Sequence, residues 1–217
     1  MNKNEKFVIT INRELGSGGR TVGRKLAEKL GVKFYDKALI KTLVEKYDLT
    51  VEEIEKMKGR SHSWWAEAMQ MMSVAPGVAG SSEFYEYSIY KAYPPTTDEM
   101  FETETKVLQD IAAEESCVVA GRSGFYVFRN HPNHLNIFIQ ATMPFRVERV
   151  MRKQNVSEDE ARQIIKKIDE MRENYVTKYA GISRYDTRNY DLVLRADGKT
   201  EDELADIILQ YATGKQV

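Results

Sequence analysis

Phe7-Val8-Ile9-Thr10-Ile11 runs through Asn12-Arg13-Glu14-Leu15 into Gly16-Ser17-Gly18-Gly19-Arg20-Thr21. The first five residues are short, β-branched and nearly all apolar, the pattern of a strand buried on both faces. A glycine cluster follows at once. Behind it Val22, Leu26 and Leu30 recur at helical spacing with Ala27 beside them, and Gly31 stops the helix. Val32-Lys33-Phe34-Tyr35-Asp36 reads as a second short strand. The chain therefore opens strand, glycine turn, helix, strand.

The same alternation returns downstream. Ser116-Cys117-Val118-Val119-Ala120 is an apolar strand ending in Gly121-Arg122, Leu135-Asn136-Ile137-Phe138-Ile139 is another, and Tyr190-Asp191-Leu192-Val193-Leu194 is a fifth. Helical patterns separate them. Two begin with reciprocal capping signatures, Ser157 with Glu160 and Thr200 with Glu203, and the last carries Leu204, Ile207, Ile208 and Tyr211 as one stripe. Short buried strands alternating with helices predict an α/β fold with a five-stranded parallel sheet covered on both faces. Such sheets bind ligands beyond the carboxyl ends of their strands, here Asn12 to Gly19, Asp36, Gly121-Arg122 and Gln140-Ala141.

The bulk properties narrow the function. Of 217 residues, 42% are hydrophobic and 30% charged, which fits a globular domain. Lysines and arginines number 32 against 33 acids, so no overall positive field would hold the chain on nucleic acid. A lone Cys117 excludes an internal disulfide framework and points to a reducing cytoplasm. No apolar run approaches the ~20 residues that span a bilayer, and the amino terminus lacks a signal-peptide core. Two regions leave the alternation. Residues 50–96 hold a capping signature (Thr50, Glu53), Trp64-Trp65, Met69, Met71, Met72, a loop around Pro76 to Ser82 and Pro94-Pro95, and read as a helical insertion. Residues 157–189 read as a long charged helix followed by a polar arm, Gly181 to Asn189.

A glycine-rich turn between a buried strand and a helix lets the backbone close around a phosphate, with N–H groups and the helix N-terminus aimed at it. Such turns also simply join strands to helices. Against the phosphate-loop pattern G-x-x-x-x-G-K-[ST], the second glycine and a threonine are present, the first glycine is Arg13, and the lysine slot is Gly19 with Arg20 beside it.

The ordered set of motifs resembles the cytidylate kinase-like family. Those motifs are the glycine-glycine-arginine loop, Gly121-Arg122 at a strand end, Asp169, Arg172 and Tyr175 spaced along one helix, and the strand beginning Tyr190-Asp191-Leu192. Leu135 to Ile139, followed by a helix with Arg146, Arg149 and Arg152, resembles the fourth strand of bacterial cytidylate kinases and the segment that leads into their lid. The resemblance covers most of the chain except about 58–95. It implies a single three-layer P-loop kinase domain, with a core at about 6–49, 97–156 and 189–213, a helical acceptor-binding insertion at about 50–96 and a lid at about 157–188. It also implies ATP and Mg²⁺ as cofactors, a small nucleotide as partner rather than a nucleic acid polymer or membrane, and Arg172, Arg184 and Arg188 as lid arginines. Two positions depart from cytidylate kinases on the acceptor side: Ser123 stands in place of an acid and Thr42 in place of an arginine. The acceptor and the oligomeric state are left open.

Gly16, Ser17, Gly18, Gly19, Arg20 and Thr21 are thus the expected phosphate cradle. Arg20, with glycines that leave it room to swing, is the candidate replacement for the lysine, with Arg13 in reserve; either is otherwise a surface or salt-bridged arginine. Thr21 could hold Mg²⁺ or serve only the helix start. Asp36 could meet the acceptor or metal, or cap the helix after it. Arg122 is the acceptor-phosphate candidate. His131 and His134 read as a polar loop rather than a metal pair, and Cys117 as an inert core thiol. The expected activity is transfer of the γ-phosphoryl of ATP to a nucleoside monophosphate or related small acceptor. The rivals are a non-catalytic nucleotide-binding protein and a kinase for a non-nucleotide acceptor.

Overall fold

A computed structural model describes residues 1–36, 39, 40, 44 and 97–214. In chain order the elements are β1 (Val8–Arg13), α1 (Gly19–Leu30), β2 (Lys33–Asp36), α2 (Asp98–Glu114), β3 (Cys117–Ala120), α3 (Gly124–Val127), β4 (His134–Gln140), α4 (Met143–Gln154), α5 (Glu158–Ala180), a 3-10 turn (Thr187–Asn189), β5 (Leu192–Arg195) and α6 (Glu201–Thr213). The insertion at 50–96, with its capping signature, tryptophans and methionines, and Thr42 lie outside the described residues.

The strands form one parallel sheet in the order β2-β3-β1-β4-β5. β1 is central and buried along its length, with Ile11 in register with Ala120 on one side and Ile137 on the other. Its β-branched residues alternate between two cores, as the period of a strand requires. Val8 joins Tyr35, Leu108, Ile111 and Val119 beneath α2. Ile9 and Ile11 join Val22, Leu26, Ile137, Leu204 and Ile208 beneath α1 and α6. Each such side chain contributes about 2 kcal/mol when buried. The result is the expected three-layer P-loop kinase fold. Because β2 and β4 lie on opposite sides of β1, the crevice at the carboxyl end of β1 is the topological switch point.

A third apolar cluster positions the site. Leu15, in the turn after β1, packs with Val147 and Val150 of α4 and Ala161, Ile164, Ile165 and Ile168 of α5. The two capping boxes expected within the described residues are formed, at Ser157 with Glu160 and at Thr200 with Glu203. Two sequence expectations shift. The fifth strand begins at Leu192, because the Tyr190 N–H donates back to the Thr187 carbonyl and closes the 3-10 turn. On α6 the buried face is Leu204, Ala205, Ile208 and Ala212, while Tyr211 is exposed and its hydroxyl donates to the Asp191 carbonyl. The two alanines let α6 lie close against its neighbours, which turns the tyrosine outward.

Candidate active site

The chain leaves β1 still paired with β4, the Glu14 N–H donating to the Ile139 carbonyl at 3.0 Å. It then turns sharply. Ser17 donates from its N–H and its Oγ to the Glu14 carbonyl, at 3.3 and 2.9 Å. Gly16 and Gly18 have φ of 83° and 82°, left-handed values that favour glycine, and a Cβ at Gly16 would lie 2.8 Å from the Arg146 carbonyl oxygen. Gly18 is the N-cap of α1, and helical bonding starts with the Val22 N–H to the Gly18 carbonyl. The amides of the first turn therefore point out of the helix N-terminus, and no acidic residue lies in that turn. This is the geometry that receives a phosphate. Thr21 sits in that turn, partly exposed.

Arginines surround the turn. Asp169 of α5 accepts from the Leu15 N–H at 3.0 Å and pairs with Arg146 of α4, with Arg172 at 3.4 Å and with Arg184 at 3.6 Å. Arg172 and Arg184 also donate to the Arg13 carbonyl, and Arg146 donates to the Leu15 carbonyl at 2.7 Å and meets Glu14 at 3.2 Å. All three guanidinium groups are buried, Arg184 to 1% exposure. Burial and then the neighbouring Arg172 charge pull the Arg184 pKa down from its usual value. Arg149, one helical turn beyond Arg146, lies against Gly18 and pairs with Glu201 at 2.5 Å. Burial opposes ionisation of Glu201, but Arg149 and the helix amides hold its carboxyl below the ordinary range.

The remaining expected residues divide. Arg20 does not swing over the loop: Asp36 holds its Nε at 2.7 Å and its Nη2 at 2.5 Å. The other Asp36 oxygen accepts the Leu39 N–H at 3.0 Å, so this carboxylate caps a helix start while holding the arginine. Arg122 pairs with Glu104 of α2, its guanidinium 4.8 Å from the centre of the Tyr175 ring of α5. Gly121, Arg122 and Ser123 all have positive φ, at 81°, 56° and 51°. Consecutive non-glycine residues in that region cost about 1–3 kcal/mol each and collect at functional sites. Arg188 stands apart from Arg172 and Arg184. Its side chain is 87% exposed and engages Asp186.

Sequence reading names Asp169, Arg146 and Arg149 as motif positions but assigns them no role in the site. Their signal is the spacing on α4 and α5, which matches a solvated helix face equally well. His134 is held by Thr10 at 2.9 Å, and burial pushes its pKa down to about 4. Burial pushes the Cys117 thiol up to about 12. Among the described residues, no cluster of three or more His, Cys, Asp or Glu could hold a metal, and no helix is long and apolar enough to cross a membrane.

Comparison with known proteins agrees with this architecture. A cytidylate kinase of Sulfolobus acidocaldarius is 23% identical over 215 residues, covering 96% of both chains. The solved structure of an uncharacterised protein from Eubacterium ventriosum superposes with a TM-score of 0.69 at 23% identity, over 96% of this chain and 99% of that one. A gluconokinase from Sinorhizobium meliloti shares the fold more loosely, with a TM-score of 0.52 at 13% identity over 96% and 93% of the two chains. The family model for the cytidylate kinase-like family matches residues 8–197, from the first residue of β1, through the glycine turn and the arginine-bearing helices, to just past β5. Matched over that span, the chain belongs to the cytidylate kinase-like family.

Proposed function

We propose that the protein is an ATP-dependent kinase that transfers the γ-phosphoryl group to a nucleoside monophosphate or a related small acceptor. The observation that carries this reading is the cluster at the glycine turn, where Arg146, Arg172 and Arg184 converge on one carboxylate, Asp169, beside the N-terminus of α1, whose own first turn holds no acid. Buried cations in excess of their counterions repel one another, and an incoming polyanion relieves that repulsion. A triphosphate fits the cradle, since Gly16 to Gly19 expose backbone and α1 aims its amides there.

In this reading the chain supplies position and charge. The bond from the γ-phosphorus to the β–γ bridging oxygen breaks, a bond to an acceptor oxygen forms, and ADP leaves. Gly16 to Gly19 and Thr21 hold the donor phosphates, and Arg172 and Arg184 neutralise charge that develops on the transferred group. Arg122, released from Glu104, grips the acceptor. A magnesium ion accompanying the triphosphate would supply further neutralisation, and the Thr21 hydroxyl would hold it. Arg188 is outside the buried cluster and is assigned a lid-surface role only. The lone, buried Cys117 suits a reducing compartment such as the cytoplasm.

The test is ADP formation from ATP and Mg²⁺ across a panel of nucleoside monophosphates and small hydroxylated acceptors. Turnover with one or more nucleotides is the expected result. ATP binding with no turnover on any acceptor would establish the binding-protein alternative, which the engagement of Arg20 by Asp36 favours.

A further inference from the structure

Two glycines of the site are small for the same reason. A Cβ at Gly19 would lie 2.5 Å from Arg13 Cβ and 3.0 Å from Arg13 Cγ, and one at Gly121 would collide with Arg13 Nη1. The stem of Arg13 therefore passes beneath the first residue of α1, and its guanidinium reaches the backbone at the end of β3. That places the charge in the crevice between the carboxyl ends of β1 and β3, at the switch point of the sheet. Arg13 is only 6% exposed, and its carbonyl is fixed from the other side by Arg172 and Arg184.

The phosphate-loop pattern has a glycine at its first position and a lysine at its seventh. Here the first is Arg13 and the seventh is Gly19. The volume through which a side chain at position 19 would leave the backbone is filled by Arg13, so the two positions have exchanged size. We infer that they have also exchanged roles: Arg13 is the phosphate-binding cation of the loop, while Arg20 is committed to Asp36. A guanidinium suits the place, because its planar fork can meet two phosphate oxygens at once. The reaction part of this inference rests on the kinase reading above; the binding part does not.

The experiment is calorimetric titration with inorganic tripolyphosphate, paired with ATP turnover, on the native chain and its variants. Arg13→Met keeps the stem under Gly19 and removes the charge. It should weaken tripolyphosphate about tenfold or more, and turnover by about 10²-fold, the scale of one transition-state donor. Arg13→Lys should recover part of both, and Arg20→Ala should leave tripolyphosphate affinity within about twofold. Gly19→Lys alone should bind poorly, because its side chain meets Arg13. Arg13→Gly combined with Gly19→Lys restores the pattern's own arrangement and should regain binding. Tripolyphosphate affinity in Arg13→Met equal to that of the native chain would overturn the inference, as would a native chain that binds no tripolyphosphate. If the binding order holds but no acceptor is ever phosphorylated, the kinase reading fails and the assignment of Arg13 stands.

Discussion

The two ends of the sheet treat polar groups in opposite ways. At the amino end they are matched into small local sets. The Asn133 side chain donates to the Asn2 and Lys6 carbonyls and accepts the Asn2 N–H, Ser116 Oγ accepts the Phe7 N–H, and Thr10 joins His134 and Asn136. The Tyr35 hydroxyl donates to Glu115 at 2.7 Å. At the carboxyl end, three arginines crowd one carboxylate, Asp169, and the backbone takes left-handed turns at Arg122 and Ser123. The first arrangement minimises the cost of burying polarity. The second leaves positive charge and strain in place, which the proposed anionic ligand would offset.

Removing the counterion from the carboxyl end should have the largest effect. Asp169→Asn leaves Arg146, Arg172 and Arg184 without their shared charge and loosens the α5 contact to Leu15. Breaking a buried pair from one side costs about 3–5 kcal/mol. Chemical denaturation should register that loss, and added inorganic phosphate should return part of it. A stability unchanged from the native chain would mean that the cluster carries no electrostatic load.

Next come the two arginines of the arm. Arg184→Ala should cut turnover by about 10²-fold, whereas Arg188→Ala should leave it within about twofold, since an exposed pair such as Arg188–Asp186 contributes little. Steady-state kinetics read the contrast directly. A loss of ATP affinity with kcat intact would make Arg184 a ground-state contact. Equal effects from the two variants would erase the distinction drawn between them.

Gly18→Val tests the cradle itself. The left-handed φ of 82° makes a β-branched residue costly there, while the space beside Arg149 is ordinary van der Waals contact. The expected result is a folded protein whose ATP affinity falls by about tenfold, from backbone strain of roughly 1–2 kcal/mol at the phosphate turn. Calorimetry with ATP and Mg²⁺ checks it, and native affinity in a folded variant would remove the turn from the donor site.

The division between the two ends also explains what the sequence could reveal. The strands were legible because Val8 to Ile11, Val118-Val119 and Ile137 to Ile139 are buried on both faces, and the loop because Gly16, Gly18 and Gly19 interrupt such a run. The arginine cluster was only half legible. Arg146, Arg149, Asp169 and Arg172 lie on helices whose charged residues are mostly solvated, and their burial depends on how α4 and α5 meet over Leu15. Nothing local distinguishes Arg172, buried at the cluster, from Arg162, exposed on the same helix and paired only with Glu158. The exchange of size between positions 13 and 19 was visible as a departure from a pattern. Its meaning depends on where the Arg13 side chain goes, which is tertiary information. The same holds for Arg20, whose partner Asp36 is far away in sequence and adjacent in space.

The smallest expected effect belongs to the amino end and concerns pH alone. Burial lowers the His134 pKa from an ordinary 6.5 to about 4, with Asp191 opposing the shift and His131 adding to it. Thr10 Oγ1 at 2.9 Å meets the ring, and Phe128 packs edge-on against it. Between those two values the unfolded chain binds a proton that the folded chain does not, so stability rises with pH across that window. The contribution is therefore complete above about pH 6.5 and declines as the pH falls toward 4, by about 1–2 kcal/mol for a partly buried ring. Denaturation midpoints at pH 7 and pH 4.5 should differ by that amount in the native chain. His134→Gln removes the titrating group and should flatten this part of the profile, while tripolyphosphate affinity at pH 7 stays unchanged because the ring lies at the end of the sheet away from the arginines. A native slope that survives in His134→Gln would assign the acid sensitivity to another group. A change in tripolyphosphate affinity would show that the two ends of the sheet are energetically joined, against the separation on which the comparison rests.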